Sequence, residues 1–210
     1  MAFKKNDFIE IDFVAKTSQG EVFDSTINSE LEKIGSKMNA KPFIFSFGNG
    51  MFLKAVEDFL IDKNLGKHEI TLQPEEAFGN REVSLIKLIP EAIFREHKVR
   101  PVAGYVFNFD GKLAKILSVN GGRVRVDFNN PLAGKVVTYE VEIKRAVEEI
   151  KEKIGALNDF FFRKEFKFEV KENKLILEVS KEMERIVPLF KDKYKEILNL
   201  DLETKLVDKE

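Results

Sequence analysis

Phe8-Ile9-Glu10-Ile11-Asp12-Phe13-Val14-Ala15 alternates apolar and polar residues and runs into the turn Ser18-Gln19-Gly20, after which Val22-Phe23-Asp24 resumes the extended pattern. Period-two alternation ended by a glycine turn predicts a strand and a hairpin around Gly20. Working outward, Asn28-Ser29-Glu30-Leu31-Glu32-Lys33-Ile34-Gly35 predicts a short helical turn closed by glycine. Phe43, Phe45 and Phe47 alternate again and stop at Gly48-Asn49-Gly50. Leu53-Lys54-Ala55-Val56-Glu57-Asp58-Phe59-Leu60 carries the 3.6 period of a short helix. His68-Glu69-Ile70-Thr71-Leu72 is another strand, and Pro74-Glu75-Glu76-Ala77-Phe78-Gly79 a tight turn. The class is α+β, an antiparallel sheet wrapped on a short helix.

The pattern then changes twice. Strands are expected at 104–109, 112–119 and 123–128, separated by the hairpin signals Asp110-Gly111 and Asn120-Gly121-Gly122. Val136-Val137-Thr138-Tyr139-Glu140-Val141-Glu142-Ile143 reads as a strand that must pair with the first segment. Residues 84–130 are therefore expected as a small β-rich insertion in a discontinuous domain of residues 1–83 plus 131–145. From residue 146 to 210 nearly half of the residues are charged, against little more than a quarter before, and this tail holds one of the 12 glycines. It reads as a helix to about Phe162, a hairpin across Glu172-Asn173 and a second helix from Met183 to about Leu198. So small a unit buries only a marginal core. Two readings stand: the tail forms a homodimer, or it packs back on the first domain.

The chain has 210 residues, with Lys plus Arg 35 and Asp plus Glu 36, a net charge of -1. Near-balance does not point to nucleic acid or anionic membrane as a partner. Cysteine is absent, which removes disulfides, thiolate metal sites and cysteine nucleophiles and fits a reducing compartment. No apolar export segment opens the sequence, and no stretch approaches the roughly 20 apolar residues needed to span a bilayer. A cytoplasmic location is expected. Aromatic usage is lopsided, with 20 Phe, 3 Tyr and no Trp, which raises the prospect of an apolar surface that binds something.

Most catalytic chemistries fail by inventory. His68 and His97 sit on different segments without partners at ligand spacing, so no metal site and no cofactor are expected. There is no nucleophile elbow and no phosphate loop. Glu57-Asp58 and Glu75-Glu76 read as a solvated helix face and a turn. What remains is an aromatic and apolar set: Phe13, Phe23, Asp24, Phe43, Phe52, Leu53, Val56, Phe78 and Tyr139. Periodicity alone makes these the core of a small sheet-on-helix domain.

The order of the motifs points elsewhere. Gly20-Glu21-Val22-Phe23-Asp24-Ser25, Pro42-Phe43-Ile44-Phe45, Gly48 to Val56, Pro74 to Gly79 and Tyr139 to Ile143, taken in sequence, resemble the FKBP-type peptidyl-prolyl cis-trans isomerases. The insertion after Phe78-Gly79, with Asn130-Pro131-Leu132-Ala133-Gly134-Lys135 behind it, is similar to the SlyD-like branch, whose inserted flap binds unfolded chains. The extra C-terminal unit is similar to the long-chain archaeal members.

The resemblance implies catalysis of X-Pro bond rotation in unfolded polypeptides. That rotation crosses a barrier of about 18–20 kcal/mol and takes tens to hundreds of seconds uncatalysed. An apolar pocket disfavours the charge-separated planar amide and needs neither nucleophile nor proton transfer, which fits the empty inventory. By resemblance, Asp24, Phe78 and the backbone N–H of Leu53 are the catalytic groups. Phe13, Phe23, Phe43, Phe52, Val56 and Tyr139 hold the substrate. The family often has tyrosine where Phe13 and Phe78 stand and tryptophan where Val56 stands; a lost hydrogen bond costs about 0.5–1.5 kcal/mol. In the insertion, Ile86, Leu88, Ile93, Phe94 and Tyr105 are the expected chaperone surface, or equally the insertion's own core. The alternative function is a non-catalytic holdase with a degenerate pocket.

Overall fold

The computed structural model describes residues 3–35, 40–109 and 111–207. The predicted N-terminal strand is β1 (Phe8–Thr17), and after Gly20 (φ 81°) the chain returns antiparallel as β2 (Val22–Ser25). A positive φ at the turn is open to glycine without the steric cost other residues meet. The register skips one residue: Ala15 faces Asp24 and Lys16 faces Val22, so Phe23 is the extra residue of a bulge. Next come α1 (Asn28–Lys33) and β3 (Phe43–Ser46), which lies antiparallel to the first half of β1 with Ile11 opposite Phe43. They are followed by α2 (Lys54–Leu60) and β4 (Gly66–Leu72).

The insertion follows as β5 (Ile86–Pro90), α3 (Glu91–Glu96), β6 (Val106–Phe109), β7 (Lys112–Asn120) and β8 (Arg123–Asp127). Its sheet has the order β5-β8-β7-β6, every pairing antiparallel. Phe94, Ala114, Ile116, Val124 and Val126 form its core. Of the turn expected at Asp110-Gly111, Asp110 lies outside the described residues. The strand β5 and helix α3 have no counterpart in the sequence reading.

Strand β9 (Val137–Val147) completes the first sheet, in the order β2-β1-β9-β4 with β3 also on β1. Ile9, Ile11, Phe45, Val56, Leu60 and Ile143 are fully buried from strands and α2 alike. Each such side chain stabilises the fold by roughly 1.5–3 kcal/mol.

The tail holds α4 (Ile150–Phe162), β10 (Phe168–Lys171), β11 (Lys174–Val179), α5 (Lys191–Leu198) and β12 (Asp201–Leu206). The long second helix expected from Met183 is absent: turns lead to a 3-10 turn at Val187–Phe190, and α5 begins only after it. Pro188 lacks an N–H and disfavours helix at the preceding residue, so a continuous helix breaks there. The unexpected β12 runs parallel to β11, Leu175 facing Leu202. Tyr194, fully buried, donates its hydroxyl to Asn158 Oδ1 at 2.6 Å.

Two compact units result, Met1–Thr71 with Thr138–Glu210, and Leu72–Val137. The second is wider than the expected 84–130 because its two connecting strands are zipped together. Gly134 N donates to Gly79 O at 2.8 Å, Arg81 pairs with Asp127 at 2.5 Å, and Asn129 Nδ2 donates to Glu82 O at 2.9 Å. In the first unit, helix α4 packs on β3. Arg145 at the end of β9 ties Glu10 of β1 to Glu152 of α4, both at 2.5 Å, and Lys5 meets Glu196 of α5 at 2.7 Å. The tail thus docks on the first domain. Among the described residues, no helix is long and apolar enough to cross a membrane.

Candidate active site

Four rings pack together in the first unit, and three of them, Phe13, Phe43 and Phe52, line a cavity whose lining does not include Tyr139 or Phe23. Phe52 stands 5.1 Å from Phe13, 5.3 Å from Phe43 and 5.6 Å from Tyr139, centroid to centroid. Phe23 meets Tyr139 edge-on at 6.0 Å. Edge-to-face and tilted contacts at these distances suit the ring quadrupoles and fix the rings against one another. Phe13 comes from β1, Phe43 from β3, Tyr139 from β9 and Phe52 from the loop before α2, so the sheet itself assembles the set. Val56, fully buried on α2, belongs to the core of the same unit. Phe78 belongs to the other unit, half-buried at the close of the 74–79 turn.

The bulge at Phe23 interrupts the regular strand alternation that would send neighbours Phe23 and Asp24 to opposite faces. Phe23 reaches Tyr139, while Asp24 lines the cavity with Phe13, Phe43 and Phe52. The corner is pinned locally. Ser25 Oγ donates to Phe13 O at 2.9 Å and accepts from Ile27 N at 3.0 Å, and Phe13 N donates to Thr26 Oγ1 at 2.8 Å.

Asp24 opens to solvent on one side, yet desolvation by the surrounding protein pushes its carboxyl above the usual aspartate value; the Ser25 N–H at 2.9 Å offsets only part of this. Burial, and then the negative charge of Asp24, push the Tyr139 hydroxyl up to about 12. The cleft therefore couples a desolvated carboxylate to a hydroxyl that keeps its proton.

Leu53 precedes α2 with extended backbone (φ -64°, ψ 123°), its carbonyl accepting from Val56 N and Glu57 N. Among the described residues its own N–H has no hydrogen-bond partner in the chain. Glu57 corrects the sequence reading. It is not a solvated surface residue but is 4% exposed, accepting from Gly48 N at 2.8 Å and Phe52 N at 2.9 Å. One buried carboxylate thus braces the loop that carries Phe52 and Leu53. The signal for it was the glycine loop ahead of a short helix, whose backbone donors need an acceptor.

In the insertion, Leu88, Ile93 and Tyr105 are exposed and Ile86 is half-buried. Phe94 is corrected: at 3% exposure it is core, facing Phe109 at 5.6 Å. Among the described residues no group of three or more His, Asp or Glu side chains is placed to hold a metal ion.

The model of the FKBP-type peptidyl-prolyl cis-trans isomerase family matches residues 1–95, and that of the FKBP26 IF domain matches residues 87–132. The chain is 29% identical over 145 residues to the short-type peptidyl-prolyl cis-trans isomerase of Methanocaldococcus jannaschii, covering 67% of this chain and 92% of the relative. It is 29% identical over 146 residues to the FKBP-type 16 kDa peptidyl-prolyl cis-trans isomerase of Escherichia coli K12, covering 67% of this chain and 91% of the relative. Against the SlyD isomerase of Aeromonas hydrophila it is 26% identical over 139 residues, 65% of this chain and 60% of the relative. The chain belongs to the FKBP-type peptidyl-prolyl cis-trans isomerases.

Proposed function

We propose that the cleft isomerises X-Pro bonds by holding the proline ring among Phe13, Phe23, Phe43, Phe52 and Tyr139. The observation that carries this is the ring set itself, closed around Phe52 and bordered by a desolvated Asp24. An apolar wall stabilises the twisted amide relative to the planar one, whose charge separation it disfavours. The unpartnered Leu53 N–H is the donor for a substrate carbonyl. Asp24 orients or polarises the amide from the rim.

The insertion contributes weak binding of unfolded segments. Leu88 (64% exposed) and Tyr105 (61%) present large apolar groups to solvent, as does Ile93. A client held there meets the cleft at a raised effective concentration, so weak affinity suffices.

The test is turnover of a short X-Pro peptide by the full chain beside Phe52→Ala and Asp24→Ala. Each substitution should lower kcat/KM by about 10- to 100-fold, or roughly 1.4–2.7 kcal/mol in the barrier. Unchanged turnover in both would overturn the cleft assignment. A full chain that fails to accelerate the peptide yet still prevents aggregation would turn the reading to a holdase.

A further inference from the structure

The cleft does not end at the rings. Phe13, Phe43 and Phe52 line one side of a cavity of about 880 Å³ whose far wall comes from the tail. At about 30 Å³ per water, this is room for on the order of thirty waters, far more than a proline ring displaces. The wall is mostly one face of α4, where Glu152, Gly155, Ala156, Asp159 and Phe160 recur every third or fourth residue; Asn158 and, just past the helix, Arg163 also line the cavity. Phe166 and Phe168 extend it past the helix. Elsewhere on the helix Ile154 and Leu157 are fully buried, and Phe161 meets Phe190 at 4.8 Å and Tyr194 at 5.9 Å within the tail.

Two features mark the wall as a built surface. Gly155 lies inside a 13-residue helix, where glycine is unfavourable relative to alanine, and a Cβ there would meet nothing within 4 Å. No close packing demands this glycine, and the space beside it is open to the cavity. Beside it the half-buried Phe160 supplies apolar area, while charges of both signs, Asp159 and Arg163, stay at the rim.

We infer that α4 and the 163–168 segment form a subsite for the polypeptide residues flanking the proline, one that favours an aromatic or large aliphatic side chain. This rests on the cleft assignment proposed above. The occupant is an extended stretch of unfolded chain, because the cavity runs on from the rings that take the proline and an extended chain advances roughly 3.3–3.6 Å per residue. A mixed-charge rim with an apolar floor accepts many sequences while still rewarding apolar bulk.

The experiment compares kcat/KM of the full chain on eight-residue X-Pro peptides carrying Phe three residues before or three residues after the proline, or Gly at both places. At least one Phe peptide should exceed the Gly peptide by about 5-fold or more. Gly155→Leu, which fills the cavity and suits the helix, and Phe160→Ala should each bring that preference within about 2-fold. Phe52→Ala should lower all three peptides in proportion. No preference in the parent chain, or a preference that survives both wall variants, overturns the subsite. Full turnover in Phe52→Ala overturns the cleft assignment instead, so the two failures are distinguishable.

Discussion

In the first unit Phe13, Phe43, Phe52 and Tyr139 pack ring against ring and the first three line a cavity, whereas in the second unit Leu88, Tyr105 and Leu113 stand with more than half of their surface in solvent. Both units use apolar side chains, but in the first the rings close on one another, whereas these side chains of the second stand in solvent. Lowering a rotation barrier requires an amide surrounded by fixed, dry walls, and side chains standing mostly in water cannot provide that. Holding a changing client requires several weak contacts, and a deep pocket would bind too selectively. The proposed division of labour follows from exposure more than from composition.

The sharpest way to break this comparison is to remove the second unit's core. Phe94→Ala should cost about 3–5 kcal/mol, as for a fully buried phenylalanine. For a unit of this size that approaches its whole stability. Hydrogen exchange should then show the β5–β8 amides losing protection while the β1 and β9 amides keep theirs. Loss of protection in both units would mean that the cleft depends on the insertion for its shape.

The two aspartates offer a finer contrast. Asp24 is held above its usual value by desolvation. Asp127 also suffers desolvation, but the hydrogen bonds from Asn129 and Arg81 outweigh it and hold its carboxyl below the usual range. A raised folded value favours folding below the unfolded value near 3.8 and loses that advantage as pH rises through the folded one. A lowered value does the reverse: its stabilisation is present above about 3.8 and fades as pH falls through the folded one. Asp127→Asn should therefore lose about 1–3 kcal/mol at pH 7, where the charge-assisted bond to Arg81 is intact, and the deficit should shrink in acid. Asp24→Asn should be no less stable than the parent at pH 7, any gain vanishing in acid. Urea unfolding at neutral and acidic pH checks both. An Asp24→Asn deficit at pH 7 would make Asp24 a structural residue.

How far the sequence could be read depended on element length. The ten-residue alternation of β1 and the Phe43–Phe47 pattern had enough periods to set both strand and face, and they carried Phe13 and Phe43 into the site. Helix α3 has six residues, under two turns, so nothing in its spacing said that Phe94 points inward while Ile93 points out. Strand β12 is equally short and pairs in parallel with a strand well before it in the chain, a partner no local pattern reveals. Glu57 looked like a surface carboxylate because its burial is created by the 48–52 loop folding over it. The α4 wall was hidden for a related reason: an interior glycine reads as a weak spot until the cavity beside it is known.

The smallest expected effect is also the one that separates a surface from a scaffold. Leu88→Ser with Leu113→Ser removes two side chains, 64% and 62% exposed, on β5 and β7. Since both already lie mostly in water, unfolding free energy should move by no more than about 0.5 kcal/mol. Turnover of a short X-Pro peptide should not change, because such a peptide does not need the insertion. Refolding of a proline-limited protein should slow by a few-fold, because fewer weak contacts hold the client and its effective concentration at the cleft falls. If the pair leaves refolding and aggregation suppression untouched, client capture lies on another face. If it destabilises the insertion markedly, these leucines are packing residues and their exposure is incidental.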